Sequence, residues 1–290
     1  MKWFKRLICL IAVSVVVLLG LSLSGVYLYR GMPAWYRPRV ASTQETRDAA
    51  NRADQKILDL FSWAASAQAQ QRRHQLGKSI PGEAPIGPKT VSFDEDEINS
   101  FMATWKNAET SDIEQRIARY FTDGRIVFED DSVILAGESP EFGTLVSAEF
   151  SPSIDDQGNL RLDLSSLSAG RLPIPKSAVA GKMQRLQFLL EQQLWQKQRY
   201  VRIDESLTAN GPAVAASWIQ HLLAAMNEQP TDPTVIIPFD MTDLRRGLPV
   251  KVIAMKVVQG SISLTLEAVS AEEREPLLKT LKQQPIGISE

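Results

Sequence analysis

Hydrophobic and polar positions follow three different rhythms along this chain, and each predicts a different element. The first stretch has no rhythm at all, because Leu7 to Tyr29 carries no charged side chain. At about 1.5 Å per residue such a run crosses a hydrocarbon core of roughly 30 Å, which predicts one transmembrane helix. Aromatic residues stand at its ends, Trp3 and Phe4 before it and Tyr27, Tyr29, Trp35 and Tyr36 after it, where headgroup layers favour such rings. From Ser42 to Arg73, Ala50, Ala53, Ile57, Leu60, Ala64 and Ala67 recur every three or four residues, the spacing of one helix face. Ser42 and Glu45 have capping-box spacing at its start, and His74 closes it as an exposed terminal residue. The face is mostly alanine. It reads as a coiled-coil stalk or, preferably, as a helix laid along the following domain, since alanine heptads bury too little to hold a dimer.

Gly77, Pro81, Gly82, Pro85, Gly87 and Pro88 predict a linker over residues 76–90, after which strands and helices alternate. Val91-Ser92-Phe93 leads into Asp94-Glu95-Asp96-Glu97, and Ile98, Phe101, Met102 and Trp105 then follow at helical spacing as a buried face. Ile126 to Phe128 and Val133 to Leu135 flank a polar turn of hairpin length. Val146, Ala148 and Phe150 alternate with Ser147, Glu149 and Ser151, and Leu160, Leu162 and Leu164 with Arg161, Asp163 and Ser165. One apolar and one wet face predict an antiparallel sheet covered on a single side. Pro175 suits the start of a long helix, with Val179, Met183, Leu186, Leu189, Leu190 and Leu194 as its apolar stripe. This helix outruns a typical strand, so the sheet must curl along it or stack in series. A second helix, Val214 to about Asn227, carries Trp218, Ile219, Leu222, Leu223 and Met226, with His221 beside them as a structural residue. Val235 to Phe239, Leu248 to Val258 and Ile262 to Leu266 read as closing strands, and Glu272 to Gln283 as a short surface helix. The fold class is therefore α+β: a curved antiparallel β-sheet packed on long amphipathic helices, preceded by one transmembrane helix and a helical stalk.

Charge sets orientation and compartment. Lys2, Lys5 and Arg6 precede the run while Arg30, Arg37 and Arg39 follow it, so the basic counts tie. The all-basic six-residue head followed at once by an apolar run has the layout of an export signal, which predicts a cytoplasmic N-terminus and an extracytoplasmic remainder. Ser22-Leu23-Ser24 would suit cleavage, but the run continues past it, which favours an uncleaved anchor. The expected organisation is 1–6 cytoplasmic head, 7–29 membrane helix, 30–75 juxtamembrane helical segment, 76–90 linker and 91–290 extracytoplasmic domain. With 32 basic and 34 acidic residues interspersed, no basic stripe invites nucleic acid. The one cysteine, Cys9, falls in the membrane run, so the exported part has no disulfide and no thiol nucleophile.

Candidate chemistry is sparse. Four consecutive acids from Asp94 invite a metal reading, but Asp94 and Glu97 make a capping pair and acids in a first turn offset the helix dipole. Asp155-Asp156-Gln157-Gly158-Asn159 lacks the later glutamate of an EF-hand and reads as a turn. There is no glycine-rich phosphate loop, no Gly-x-Ser-x-Gly and no paired metal spacing, so neither an enzyme nor a cofactor is expected. Asp240 and Asp243 beside Arg245 and Arg246 are the first suspects for a carboxylate pair assembled by folding.

Ser92-Phe93-x-x-x-Glu97-Ile98-Asn99, then Gly158-Asn159-Leu160 leading to Leu167-Ser168-Ala169-Gly170-Arg171-Leu172-Pro173-Ile174-Pro175, a long helix and a closing Ile262-Ser263-Leu264 resemble the YpmS-type family of bacterial proteins of unknown function. The resemblance covers roughly residues 91–290 and implies one membrane helix before one extracytoplasmic domain at the bacterial inner membrane. It singles out Asn99, Gly170, Pro173 and Pro175 as motif residues and implies no activity. Two functions are expected. In one, a binding module holds a lipid or lipid-linked envelope component in an apolar groove along Met183, Leu186 and Leu190. In the other, a structural subunit docks to an envelope protein. Phe188 and Trp195, off the main stripe, discriminate: buried by protein they argue for a scaffold, lining a cavity they argue for a lipid. Asn99, a poor helix-interior residue, is expected to bond a neighbouring strand end.

Overall fold

The computed structural model describes residues 28, 31–36, 43–105, 122–140, 143–239 and 246–283. The expected membrane run lies outside them except for Leu28, and among the described residues no helix is long and apolar enough to cross a membrane. In chain order the elements are α1 (Gln44–Gln75), β1 (Lys89–Asp94), α2 (Glu95–Trp105), β2 (Thr122–Glu129), β3 (Ser132–Ser139), β4 (Thr144–Ile154), β5 (Leu160–Ala169) and β6 (Leu172–Pro173). They continue with α3 (Lys176–Gln198), β7 (Ala209–Asn210), α4 (Gly211–Met226), β8 (Thr234–Pro238), β9 (Arg246–Val258), β10 (Ser261–Ala268), a 3-10 turn (Ala271–Glu273) and α5 (Arg274–Lys282).

The protein is α+β with antiparallel sheets, and among the described residues its strands fall into two five-stranded sheets. The first runs β1-β10-β9-β7 with β8 also paired to β9, and the second is the meander β2-β3-β4-β5-β6. Division follows from the chain path, because α2 carries the chain away from β1 before the meander begins and β10 returns to pair with β1 in register Phe93 to Ile262. The β9–β10 turn joins the two sheets: Gly260 N–H donates to the Phe128 carbonyl and Asp131 N–H to that of Val257. Register shifts at Glu149/Phe150 and Thr265/Leu266 bend the longest strands, as bulges do.

Helix α1 lies along the first sheet, with Leu60 and Ala64 packed in one core with Val91, Phe93, Val250, Val252 and Leu266. Small side chains at Ala49, Ala50, Ala53, Ala64 and Ala67 allow the close approach. Thr43 rather than Ser42 is its N-cap, accepting from the Thr46 N–H, and Ser42 lies outside the described residues. The Gly/Pro stretch returns beside the helix and is tied to it. Gln70 donates to the Ala84 carbonyl and accepts from Ile86 N–H, Trp63 Nε1 donates to the Gly87 carbonyl, and Arg73 pairs with Glu83.

A second core forms where α3, α4 and α5 meet, around Leu190, Leu194, Val214, Leu223, Ile236 and Leu281. Gly247 is needed here. A Cβ on it would come within 2.7 Å of Ile236 Cγ2 and of the Ile237 carbonyl oxygen, and 3.1 Å of Val214 Cγ2. Contrary to expectation, Trp218 and Leu222 sit on the outer side of α4, because the inner side is formed by Ala213, Val214, Ser217 and Leu223. The second sheet also departs from the simple alternation: Leu145 and Ser147 are the buried pair of β4, while Val146 and Ala148 are half-buried. The cause is the segment ahead of α1, whose Trp35 and Tyr36 cover Ala136 and Leu145, while Ser147 finds the Ser168 hydroxyl at 2.7 Å.

Candidate functional site

Three places gather unusual side chains. The first is the junction of α1, β1 and α2, built around Glu97. Its side chain is 2% exposed and accepts from Lys56 Nζ at 2.6 Å, from Arg52 Nε at 3.3 Å and from Asp94 N–H at 3.0 Å. Burial alone would raise its pKa, but the hydrogen bonds from Lys56, the Asp94 backbone and Arg52 outweigh burial and hold it below the usual carboxylate range. Two residues on, Asn99 lays its amide not against a strand end, as expected, but against the open edge of β2 at mid-strand, donating to the Ile126 carbonyl at 2.6 Å and accepting from Ile126 N–H at 2.8 Å. The carboxamide thus supplies the partner that a neighbouring strand would give Ile126, which is why a polar residue is buried there. Ile98, Phe101 and Met102, expected as the buried face, are only half-buried, and Glu97, Asn99 and Ser100 lie deepest. Arg52 and Lys56, one turn apart on α1, were the overlooked signal that this acid had partners.

The second place is a cleft of about 630 Å³ at the C-terminal end of α3, lined by Arg202, Asp204, Ser206, Thr208, Arg246 and Lys282. Its loop is held by Asp204, whose Oδ1 accepts from Ser206 N–H, Ser206 Oγ and Thr208 N–H, with Leu207 at φ 61° in the left-handed region. Burial pushes the Asp204 carboxyl up, but the Ser206 hydroxyl, the two backbone N–H groups and Arg246 bring it below its ordinary value. The carboxylate is therefore committed to its own loop. Both acids of the suspected pair, Asp240 and Asp243, lie outside the described residues with Arg245, and of the arginines beside them Arg246 opens β9 at this cleft.

The third place is a groove of about 330 Å³ between the first half of α3 and the end of α4, with Leu164, Ala180, Gln184 and Met226 along it and Lys176 and Glu228 at its edge. Lys176 and Glu228 form an ion pair that joins the start of α3 to the end of α4. Glu228 holds φ 53°, a left-handed position after a helix that glycine usually fills, so the pair is kept at some backbone cost.

The motif residues lie just upstream. Gly170 has φ 60° and donates to the Leu145 carbonyl, Pro173 pairs with Ser168, and Pro175 is the N-cap of α3. Between them Arg171 meets the end of the apolar run: its N–H donates to the Leu28 carbonyl at 2.8 Å and its Nε to the Met32 carbonyl at 2.7 Å. Of the expected groove residues, Leu190 is buried in the helical core, and the side chains of Met183 and Leu186 lie outside what the structure describes. Phe188 and Trp195 are neither buried nor lining either space, at 57% and 43% exposure. His221 has both ring nitrogens against backbone carbonyls, those of Ser217 and Asp232. Among the described residues no group of three or more His, Cys, Asp or Glu is placed to hold a metal ion. No family model, curated protein or solved structure matches this chain.

Proposed function

We propose that this protein is a membrane-anchored, non-enzymatic extracytoplasmic domain that binds a lipid or lipid-linked envelope component. The observation that carries the reading is the location of the groove beside Leu164, Ala180 and Met226, just after the turn where Arg171 holds the Leu28 carbonyl. With residues 7–29 spanning the inner membrane and the N-terminus in the cytoplasm, that turn stands next to the bilayer and the groove opens a few residues from it. Its volume falls at the small end of ligand sites, roughly 300–1,000 Å³, enough for part of an acyl chain. Lys176 at its edge supplies a cation for an anionic head, once released from Glu228. The resemblance to YpmS-type proteins agrees with a single anchor before one exported domain.

The test uses the full chain in its membrane. A photoactivatable phospholipid should crosslink within α3 and at Met226, and Ala180→Trp, which fills the groove from an exposed position, should abolish that adduct. Crosslinking that Ala180→Trp leaves unchanged would refute the groove. A second reading, docking to an envelope protein, is favoured by another feature. Edge strand β8 is flanked by Phe61 and Phe239, with centroids 4.7 Å apart, on one side and by the exposed Trp218 and Leu222 on the other. Its test is crosslinking from a photoreactive residue at Phe239, where a discrete protein adduct would support that reading.

A further inference from the structure

Helix α3 carries a row of side chains that the fold does not use. Arg185, Phe188, Gln192, Trp195 and Arg199 succeed one another at spacings of three and four, so they share one face, and all are exposed. Tyr200 extends the row at 65% exposure, and the Arg199 guanidinium lies 5.9 Å from the Trp195 ring centre. The row contains no acid. A polar helix whose outer face presents two large aromatic rings and two arginines, with Tyr200 just past its end, matches the chemistry of the headgroup layer, where rings settle at the carbonyl level and guanidinium groups meet phosphates.

We propose that this face of α3 rests on the anionic lipid surface of the membrane that holds residues 7–29. The inference depends on the anchor reading above, and position supports it. Leu28, at the end of the apolar run, is hydrogen-bonded to Arg171, and α3 begins at Lys176. Five residues, at most about 18 Å, join Arg171 to the start of α3, and Arg185 opens the row about 14 Å further along the helix. A tethered surface of this composition meets lipid at high effective concentration, and even a weak affinity per contact suffices to hold it there.

The experiment places a nitroxide at Gln192→Cys, in the middle of the row, with Cys9→Ala in the full chain, reconstituted in vesicles containing phosphatidylglycerol. A control label at Gln157→Cys sits on the β4–β5 turn, at the far end of β5 from Arg171. At position 192, accessibility to oxygen should exceed accessibility to a water-soluble nickel complex several-fold over the control. The difference should vanish in Phe188→Glu/Trp195→Glu, whose unfolding temperature is expected to stay unchanged because both side chains are exposed. Equal nickel accessibility at 192 and 157 would overturn the proposal. So would shielding from both reagents, which would mean that protein covers the face. Alkaline carbonate extraction of the same samples reports separately on the anchor. A protein that resists extraction while 192 stays nickel-accessible leaves the anchor standing and removes only the α3 contact.

Discussion

Glu97→Gln removes one charge and almost no volume, and the structure assigns its cost. The wild-type carboxylate is 2% exposed and receives three hydrogen bonds, two of them from cations on α1. The carboxamide keeps an acceptor for the Asp94 N–H but loses the ionic partners. Lys56 and Arg52 are 34% and 59% exposed, so both can turn to water. The 3–5 kcal/mol typical of stranding a buried charge therefore does not apply, and the loss is that of charge-assisted hydrogen bonds, about 1.5–3 kcal/mol. For a domain of this size that is a fall of about 3–12 °C in the unfolding midpoint at pH 7. The sign of the pH dependence follows from the depressed pKa of Glu97 in the fold. Its stabilising contribution is complete above the unfolded glutamate value of about 4.3 and is lost as pH falls through the lower folded value. Thermal unfolding of the full chain in detergent, followed by circular dichroism, should show a gap between wild type and Glu97→Gln that is constant above pH 5.5 and closes below pH 4. Other acids with depressed pKa values, such as Glu273 paired with Lys251, weaken both proteins alike and cancel in the difference. A gap that persists unchanged to pH 3, or no gap at pH 7, would refute the assignment.

Asn99→Ala deletes both hydrogen bonds to Ile126 and leaves that backbone without its side-chain partner, a loss of about 2–3 kcal/mol visible as an earlier denaturant midpoint. An unchanged midpoint with altered ligand binding would instead make Asn99 a contact residue. Gly247→Ala forces a Cβ against the Ile237 carbonyl and Ile236, and should destabilise by about 1–3 kcal/mol in the same assay, with Gly260→Ala affected through its φ of 80° rather than through packing. Tyr36→Ala removes the ring that covers Ala136 and Leu145, so trypsin should cut after Arg39 faster than in wild type, Arg37 being protected by Pro38, while the core midpoint moves little.

How much of this was legible in the sequence depended on whether a residue's partner was local. The Ala50 to Ala67 face of α1, the Asp155 turn and the β9–β10 reversal at Gly260 are set by spacing within one element, and each appears where spacing puts it. That Asn99 would bond a strand followed from the cost of an amide inside a helix, but its partner is the middle of β2's open edge and not a strand end. What spacing could not show was covering by a distant segment. Nothing near Leu145 announces that Trp35 and Tyr36 lie over it, so the exposed and buried faces of β4 could not be told apart from alternation alone. Glu97 read as a cap because its Asp94 partner is local, while Arg52 and Lys56 arrive from a helix more than forty positions away. Trp218 and Leu222 look like core on the helical wheel. The alanines of α4 take that place instead, because small side chains let it pack closely on its neighbours.

The segment from Leu28 to Tyr36 ties these features to orientation. A free connection of eight residues would wander over roughly 15 Å and leave the domain to tumble above the bilayer. Here both ends are fastened, Leu28 and Met32 by Arg171 and Tyr36 by the second sheet, with the Arg125 guanidinium 6.0 Å from its ring centre. If residues 7–29 are embedded as proposed, the β5–β6 turn would face the membrane and the β4–β5 turn, about 33 Å along the strand, would face away. From that first turn the chain runs back along β5, with Ile174 N–H donating to the Leu167 carbonyl, so the Lys176–Glu228 pair stands part-way along the strand, and the segment after α4 reaches its far end through the Leu160–Thr231 pairing. A lipid held in the groove would lie between α3 and the end of α4, while a protein partner at the β8 edge would not need to compete for the same surface. Loosening Tyr36 should therefore weaken lipid crosslinking in the groove without affecting a partner held at Phe239, and the two proposed functions separate by a residue that belongs to neither site.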